Sequence, residues 1–252
     1  MTPILAPVLS NEEIMPGTHL IWAEAPQIAS KAEPGQFVMV RCSEGYDPLL
    51  RRPMSIHRVG ENGALALLFA VVGRGTGWLA RRKGGQMIDL LGPLGHGFTL
   101  SAESHDLLLV AGGIGIAPLV ALAQRGIAQG AQVTLLLGAP TQSQLYPSHL
   151  LPPGIKIVIA TEDGSVGKRG MVTELLAGLA DGADQIFACG PISMYEAMAS
   201  HDLLRGRSVQ VSIETRMGCG FGGCYGCAVE TKSGLRLVCK DGPVFDLKDL
   251  VW

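Results

Sequence analysis

Residues 107–118 read LLLVAGGIGIAP, and this stretch decides the fold of the central part of the chain. The apolar residues 107–111 predict a buried strand, the glycines after them predict a tight turn, and Pro118 suits the first turn of a helix. Such a turn points backbone N–H groups and a positive helix end at a phosphate, which is how α/β sheets hold dinucleotides. The same glycines also suit a tight strand–helix connection without a ligand. The standard G-x-G-x-x-G pattern with an acidic residue about 20 positions on is absent, so both interpretations stay open here.

Downstream of this stretch, predicted strands and helices alternate. The further strands lie at 133–138, 156–161 and 185–189, and the helices at about 118–129, 172–180 and 192–204. Alternation of this type predicts a doubly wound parallel sheet, that is, a Rossmann-like nucleotide-binding domain over residues 102–210.

Upstream, the chain consists of short predicted strands separated by turns. These strands are 19–22, 36–41, 54–59, 64–72 and 86–90. Their spacing predicts an antiparallel β-barrel over residues 1–101. The last segment, 211–252, is too small for a core of its own, so we expect a metal centre to supply part of its stability. The expected fold class is therefore α/β plus β, with a small C-terminal module.

The composition excludes several classes of protein. Apolar residues make up 47% and charged residues 17% of the chain, which describes a compact fold rather than a disordered one. The net charge of -2 does not supply the positive field that nonspecific nucleic-acid binding needs. The first twenty residues show no secretory signal, and the longest uncharged apolar run, 107–123, contains glycines and Pro118 and is short for a membrane span. We therefore expect a cytoplasmic protein without nucleic-acid or membrane partners.

Four of the six cysteines lie near the C-terminus, at Cys219, Cys224, Cys227 and Cys239. The C-x4-C-x2-C run with a distant fourth cysteine is that of plant-type [2Fe–2S] sites. The glycines of residues 218–226 let backbone N–H groups approach the cluster sulfurs. A structural zinc site is the main alternative, although zinc modules more often pair two short knuckles, and disulfides are a second alternative. Cys42 and Cys189 are expected to be ordinary buried thiols.

A basic turn precedes one of the barrel strands, at Arg51 and Arg52 in LLRRPMSI, residues 49–56. A guanidinium at this position suits a bidentate phosphate contact, and the hydroxyl of Ser55 suits a hydrogen bond to a ring nitrogen. The alternative is a solvated pair of surface arginines. The turn GRGTG at residues 73–77 suits a second phosphate contact through its backbone amides.

In this order along the chain, the motifs resemble the ferredoxin-NADP reductase superfamily, and within it the family of electron transfer subunits of NAD-dependent dihydroorotate dehydrogenases. The resemblance covers nearly the whole chain. It rests on the colinear stretches RRPMSI (51–56), GRGT (73–76), GPLG (92–95), AGGIGIAP (111–118), DGS (163–165), CGP (189–191) with Met194, and the cysteine motif through CKDGP (239–243).

The resemblance implies three cofactors: FAD, NAD(H) and a [2Fe–2S] cluster with the four clustered cysteines as its ligands. The implied FAD site comprises Arg52, Pro53, Met54, Ser55, Leu68, Phe69, Ala70, Gly75 and Thr76. The implied NAD site comprises Gly113, Gly115 and Pro118 at the pyrophosphate and Cys189, Gly190 and Pro191 near the nicotinamide. Broader members of the superfamily place an aromatic ring where this chain has Met54, whose sulfur suits contact with the flavin ring instead.

The preferred nicotinamide cofactor follows from the segment after the second nucleotide-binding strand. This segment, GAPTQS at residues 138–143, has no Arg or Lys for a 2′-phosphate, so NAD(H) is expected over NADP(H). Lys168 and Arg169 are the basic residues that can fold back into that site. A hydride carries two electrons and the cluster accepts one at a time, so a flavin between them acts as the converter, and no acid–base residue is expected to be catalytic.

The 252 residues leave no room for a substrate-oxidising domain. The resemblance implies a partner subunit that carries FMN in a TIM barrel and oxidises dihydroorotate to orotate in pyrimidine biosynthesis, in a heterotetramer with two copies of each subunit. One alternative is a diaphorase-type subunit of a hydrogenase, a sulfur reductase or a ferredoxin-NAD(P) reductase, since these share the three-part layout. Another is a zinc-stabilised nucleotide-binding regulatory protein without redox activity.

Overall fold

An antiparallel barrel forms the N-terminal part of the computed structural model, which describes residues 2–252. Its strands are β1 Ile4–Met15, β2 Thr18–Glu24, β3 Phe37–Arg41, β4 Arg52–Val59, β5 Ala64–Ala70 and β6 Met87–Leu94. They close in the order β1-β2-β5-β4-β3-β6, and every neighbouring pair is antiparallel. Two short helices, α1 Pro26–Ala29 and α2 Arg74–Ala80, lie between barrel strands in the sequence. The predicted barrel is confirmed.

One barrel strand, β1, is missing from the sequence-based prediction. Its middle residues, 10–13, are SNEE, and two register shifts interrupt its pairing with β2. A strand with a polar centre and bulges lacks the regular alternation by which a half-buried strand is recognised. β1 nevertheless closes the barrel, because it pairs with β2 along one edge and with β6 along the other.

A mostly parallel sheet forms the central part of the chain. Its strands are β7 Asp106–Gly112, β8 Gln132–Ala139, β9 Lys156–Thr161, β10 Lys168–Arg169, β11 Gln185–Cys189 and β12 Val209–Ser212, with helices α3 Leu119–Ala128 and α4 Ile192–Ala199. The chain runs outward from β7 to β8 and β9 on one side and places β11 and β12 on the other. The predicted doubly wound sheet is thereby confirmed, and its crevice lies at the carboxyl ends of β7 and β11, where the strand order reverses.

Two of the predicted helices differ in the structure. Residues Val172–Gly178 form a 3₁₀ helix, in which the Glu174 carboxylate accepts a hydrogen bond from the Met171 N–H at 2.9 Å. The helix expected to run to residue 204 ends at Ala199, where the Ser200 hydroxyl donates to the Glu196 carbonyl at 3.0 Å. The Glu174 contact is a capping contact at the start of the 3₁₀ helix, whereas the Ser200 hydroxyl bonds to the backbone at the end of α4, where it competes with continuation of the helix.

The C-terminal segment is joined to the central sheet rather than standing apart from it. It contains the hairpin β13 Ala228–Thr231 and β14 Gly234–Leu237, helix α5 Val238–Asp241 and strand β15 Val244–Asp246. β15 pairs antiparallel with β12, and the expected boundary between residues 210 and 211 falls inside β12. The segment also shares a buried core with both other parts of the chain: Phe37 and Leu94 of the barrel, Leu108 and Val110 of the sheet, and Met217, Leu237 and Leu247 of the segment. No helix within residues 2–252 has the length and apolar character to cross a membrane.

Candidate cofactor and cluster sites

A cavity of about 280 Å³ lies between the barrel and the parallel sheet. The predicted FAD residues that line it are Arg52, Pro53, Met54, Ser55, Leu68, Phe69, Ala70 and Thr76. They come together because β4 and β5 are antiparallel neighbours, so that the start of β4 and the end of β5 lie at the same edge of the barrel. The opposite wall is formed by Ile114 and Ala117 of the nucleotide turn and by residues 212–215 and 217.

The two arginines of the basic turn have different environments. The Arg51 guanidinium makes a bidentate ion pair with Asp89, at 2.9 and 2.8 Å, and also donates to the Met39 carbonyl at 3.3 Å. It is therefore a structural residue rather than part of a solvated surface pair. Arg52 lines the cavity, and the only hydrogen bonds of its side chain within residues 2–252 run from Nη1 to the carbonyls of Leu50 and Arg51. Its Nη2 group is thus available to an anion such as a diphosphate.

Gly75, the remaining predicted FAD residue, lies behind the cavity wall. A Cβ at this position would lie 3.0 Å from Arg52 Nε and 3.3 Å from Cys42 Cβ, so the absent side chain leaves room for the arginine. The turn expected to wrap a phosphate forms the start of α2, where the Thr76 hydroxyl accepts from the N–H groups of Val72 and Gly73 at 2.9 and 3.1 Å. Burial raises the pKa of the Cys42 thiol to about 11, as expected for an inert buried cysteine.

The cavity also contains residues that the sequence analysis missed. Ile213, Glu214 and Thr215 follow directly after β12 and line the cavity opposite Ser55. Glu214 borders the open mouth, but the protein around its carboxyl is dense enough that burial raises its pKa. Residues at the carboxyl end of a parallel strand are expected to line such a crevice. Recognition of β12 in the sequence would therefore have identified them.

A second cavity, also of about 280 Å³, lies at the carboxyl ends of β7, β8 and β11. Its walls include the predicted residues Gly113 and Pro191, together with Gly112, residues 138–140, residues 170–173 and Met194. Backbone N–H groups of a glycine turn beside a switch point fit a dinucleotide pyrophosphate.

The other residues predicted for the NAD site lie around this cavity rather than in its wall. Gly115 packs against the end of β11, where a Cβ would lie 2.0 Å from the Cys189 carbonyl oxygen. Pro118 is the N-cap of α3, and Cys189 is buried with 1% of its surface exposed. Gly190 connects Cys189 to Pro191, and a Cβ there would collide with the Met194 side chain. These residues shape the turns that border the cavity, and direct contact with NAD stays a prediction for them.

The charges around the second cavity match the expected preference for NAD(H). Among the described residues that line it, Glu162 is the one with a charge. Lys168 and Arg169 are exposed and do not line the cavity, and the Lys168 ammonium lies 3.7 Å from the Glu174 carboxylate. A carboxylate repels a 2′-phosphate and accepts hydrogen bonds from ribose hydroxyls.

A buried histidine connects the barrel to the nucleotide turn. His57, on β4, donates from Nδ1 to the Ala117 carbonyl and accepts at Nε2 from the Tyr146 hydroxyl, both at 2.9 Å. Burial lowers its pKa to about 3, so the ring is neutral at physiological pH. The neutral tautomer with Nδ1 protonated satisfies both partners. His57 therefore anchors the turn between the two cavities to the barrel.

The four clustered cysteines form two adjacent pairs. The sulfurs of Cys227 and Cys239 are 3.2 Å apart, and Cys224, which is exposed, lies close enough to Cys219 to lower the pKa of the Cys219 thiol. No three metal-binding side chains within residues 2–252 converge on a single ion position. Two pairs of thiols suit the two irons of a [2Fe–2S] unit, each of which takes two protein ligands. The donor set therefore fits such a cluster better than one zinc ion.

Backbone N–H groups already point at these sulfurs. Gly223 donates to Cys219 Sγ at 3.2 Å and Gly222 to Cys239 Sγ at 3.1 Å. Partial burial opposes ionisation of Cys219, but hydrogen bonds from backbone N–H groups outweigh it and lower its pKa to about 6. The loop reaches this geometry because Gly222 has φ +86°, a backbone conformation that would be strained in a residue with a side chain. N–H donors of this kind stabilise thiolates and bridging sulfides.

Two protein families match the chain. The family described as "Oxidoreductase NAD-binding domain" matches residues 109–200, and "Iron-sulfur cluster binding domain of dihydroorotate dehydrogenase B" matches residues 214–251. The "Dihydroorotate dehydrogenase B (NAD(+)), electron transfer subunit" of Desulforamulus reducens is 42% identical over 98% of this chain and 97% of the relative. The chain belongs to this family. The electron transfer subunit of Bacillus cereus is 38% identical over 97% of this chain and 96% of its own length.

Solved structures share the architecture of this electron transfer subunit. The NADH-dependent reduced ferredoxin-NADP oxidoreductase superposes with a TM-score of 0.88 at 29% identity, over 99% of this chain and 90% of the other. A ferredoxin reductase of carbazole 1,9a-dioxygenase shares the fold, with a TM-score of 0.69 at 20% identity over 82% of this chain and 66% of the other. The predicted family, fold class and electron transfer function are confirmed, and so are the NAD-binding and iron–sulfur cluster-binding domains. A zinc-stabilised regulator is thereby excluded.

Proposed function

We propose that this subunit passes electrons between NAD(H) and a [2Fe–2S] cluster through FAD, for a partner subunit that oxidises dihydroorotate to orotate. The observation that carries this proposal is the continuity of the three sites. Gly113 lines the dinucleotide cavity, and the next residue, Ile114, lines the barrel cavity. Met217 also lines the barrel cavity and lies two residues before the predicted cluster ligand Cys219. Three cofactors in these sites form one path.

A flavin accepts a hydride as an electron pair and releases the electrons singly, which is the conversion that a one-electron cluster requires. The chain supplies binding and orientation. Arg52 holds the FAD diphosphate, and the Ser55 hydroxyl donates toward the ring. Gly113 presents its N–H to the NAD pyrophosphate, and Cys219, Cys224, Cys227 and Cys239 hold the cluster. No side chain is required to move a proton during hydride transfer.

We further propose that the electrons leave this subunit at the cysteine loop. Cys224 is exposed, and the side chains of Phe221 and Tyr225 on either side of it are 57% and 71% exposed. Aromatic side chains around a redox centre suit a protein–protein contact. The proposed partner carries FMN, the proposed assembly has two copies of each subunit, and the proposed location is the cytoplasm, where clustered thiols stay reduced.

A second candidate is electron exchange with ferredoxin. It is favoured by the superposition with the NADH-dependent reduced ferredoxin-NADP oxidoreductase over nearly the whole chain. The 38–42% identity to dihydroorotate dehydrogenase subunits, compared with 29% to that structure, supports the orotate system as the first choice. Reduction of ferredoxin by the NADH-loaded subunit, at a rate matching that with the orotate partner, would favour the second candidate.

The first experiment is an absorption spectrum of the anaerobically purified protein before and after NADH is added. We expect flavin bands and broad iron–sulfur absorbance, and both should bleach. A spectrum without either feature would refute the proposed path.

The second experiment uses the complex with the catalytic partner and compares Cys224→Ser with Tyr225→Phe, an exposed neighbour in the same loop. Loss of a cluster ligand should abolish NAD-dependent orotate formation but leave stopped-flow reduction of FAD by NADH intact. Tyr225→Phe should retain both activities. A Cys224→Ser complex that still forms orotate with NAD would contradict the proposed role of the cluster.

A further inference from the structure

The two cofactor cavities meet at the fork between β11 and β12. The parallel pairing of these strands ends at Ala188 and Val211. Beyond this point the chain after β11 turns through Gly190 into the dinucleotide cavity, where Pro191 forms part of the wall. The chain after β12 turns the other way, and residues 212–215 line the barrel cavity. Backbone groups at such a fork lose the partners that a continuing ladder would provide.

One side-chain oxygen bridges this fork. The Tyr195 hydroxyl accepts a hydrogen bond from the Gly190 N–H at 2.9 Å and donates one to the Ser212 carbonyl at 2.7 Å. A hydroxyl can do both at once because it has one donor and two acceptor positions. Ser212 lines the barrel cavity, and Gly190 directly precedes Pro191, which lines the dinucleotide cavity, so the hydroxyl links the turns that border the two cavities.

The tyrosine itself is held rigidly. Its exposed fraction is 1%, and it stands on α4, the helix that follows the Gly190–Pro191 turn. Its ring packs against that of Trp252, with the ring centroids 5.5 Å apart. The position of the hydroxyl is thus determined by the core rather than by a flexible side chain.

We propose that Tyr195 is a positioning residue that aligns the nicotinamide with the flavin for hydride transfer. This inference rests on the proposed function, since it assumes that both cofactors occupy the two cavities. Hydride transfer requires reacting atoms about 3–3.5 Å apart, and misplacement by about 1 Å can cost about 10²-fold in rate. Without the hydroxyl, the Gly190 N–H and the Ser212 carbonyl lose this hydrogen-bond partner, and we expect the two turns to move apart as water replaces it.

The test compares Tyr195→Phe with Thr231→Val in the protein that carries FAD and the cluster. Both changes remove one buried hydroxyl, but the Thr231 hydroxyl donates to the Gly234 carbonyl in the hairpin of β13 and β14, and Thr231 lines neither cavity. Three quantities are measured: hydrogen exchange at the Gly190 amide by mass spectrometry, the dissociation constant of NADH, and the limiting rate of FAD reduction by NADH in stopped flow.

We expect Tyr195→Phe to speed exchange at Gly190 by roughly tenfold or more. The limiting rate of FAD reduction should fall by about 10- to 100-fold while the dissociation constant of NADH changes less than about threefold. Thr231→Val should leave the Gly190 exchange and the limiting rate at wild-type values.

An unchanged limiting rate in Tyr195→Phe would overturn the inference, and so would an equal fall in both variants. If Tyr195→Phe does not fold, hydrogen exchange in the wild-type protein still tests the inference. A Gly190 amide that exchanges as fast as one in an unstructured chain would contradict the hydrogen bond to the Tyr195 hydroxyl. A wild-type protein whose FAD is not reduced by NADH would instead overturn the proposed function itself.

Discussion

Gly115 gives a direct test of the close approach between the glycine turn and β11. A Cβ at this position would lie 2.0 Å from the Cys189 carbonyl oxygen and 2.8 Å from the Gly190 nitrogen, whereas ordinary contact begins at 3.4 Å. Both neighbours are backbone atoms at the end of a central strand, so neither can rotate away. An alanine here must therefore displace the turn from β11 by more than about 1 Å.

We expect Gly115→Ala to destabilise the protein by about 3 kcal/mol, the upper end for overpacking, because the obstruction is backbone. In a chain of this size that lowers Tm by about 6–12 °C. The displaced turn should also slow reduction of FAD by NADH by about 10²-fold. The assays are thermal unfolding of the FAD-loaded protein and stopped-flow bleaching.

The matched control for this change is Gly182→Ala, since nothing lies within 4 Å of a Cβ at that position. It should keep the wild-type Tm and the wild-type rate. A Gly115→Ala protein with the wild-type Tm and rate would refute the reasoning, because it would show that the turn and β11 are not in contact as described.

Two further predictions concern the barrel. Arg52→Ala should weaken FAD binding to the apoprotein by about 10- to 100-fold, since it removes a charge-assisted contact. Arg51→Ala should mainly lower Tm, because the Arg51 guanidinium binds Asp89. Equal losses of FAD affinity in the two variants, measured by titration calorimetry, would contradict these different roles. Burial lowers the pKa of His57 to about 3, so below about pH 6.5 the unfolded chain takes up a proton that the native protein does not. The free energy of unfolding should therefore fall by up to about 1.4 kcal/mol per pH unit as the pH is lowered from about 6.5 to about 3. In His57→Gln, the free energy of unfolding measured with urea should depend less on pH in this range. Parallel pH profiles for the variant and the wild-type protein would contradict this prediction.

The sequence was sufficient for those parts of the fold that local patterns determine. The strand, the glycine turn and the start of the helix at residues 107–118 follow from the local order of apolar residues, glycines and proline. The motif RPMS at residues 52–55 identified one wall of the barrel cavity. The cysteine spacing likewise identified the residues that form the two adjacent thiol pairs. In each case the residues that act together are neighbours in the chain.

The rest depended on pairing between distant segments. β12 and β15 have only four and three residues, too few to show a periodic pattern, yet their pairing places residues 213–215 in the barrel cavity. The contact of Gly115 with β11 and the bridge made by Tyr195 also join residues far apart in the sequence. A single sequence contains no local signal for such contacts, because they are selected by the packing of the whole sheet.

The pairing of β15 with β12 limits how this protein can be cut or recombined. A truncated chain that stops before the cysteine loop would leave β12 as a bare edge with unpaired N–H and C=O groups, a template for association with other chains. An exchange of the cysteine loop between related reductases should therefore include residues 244–246, so that β12 keeps its neighbouring strand.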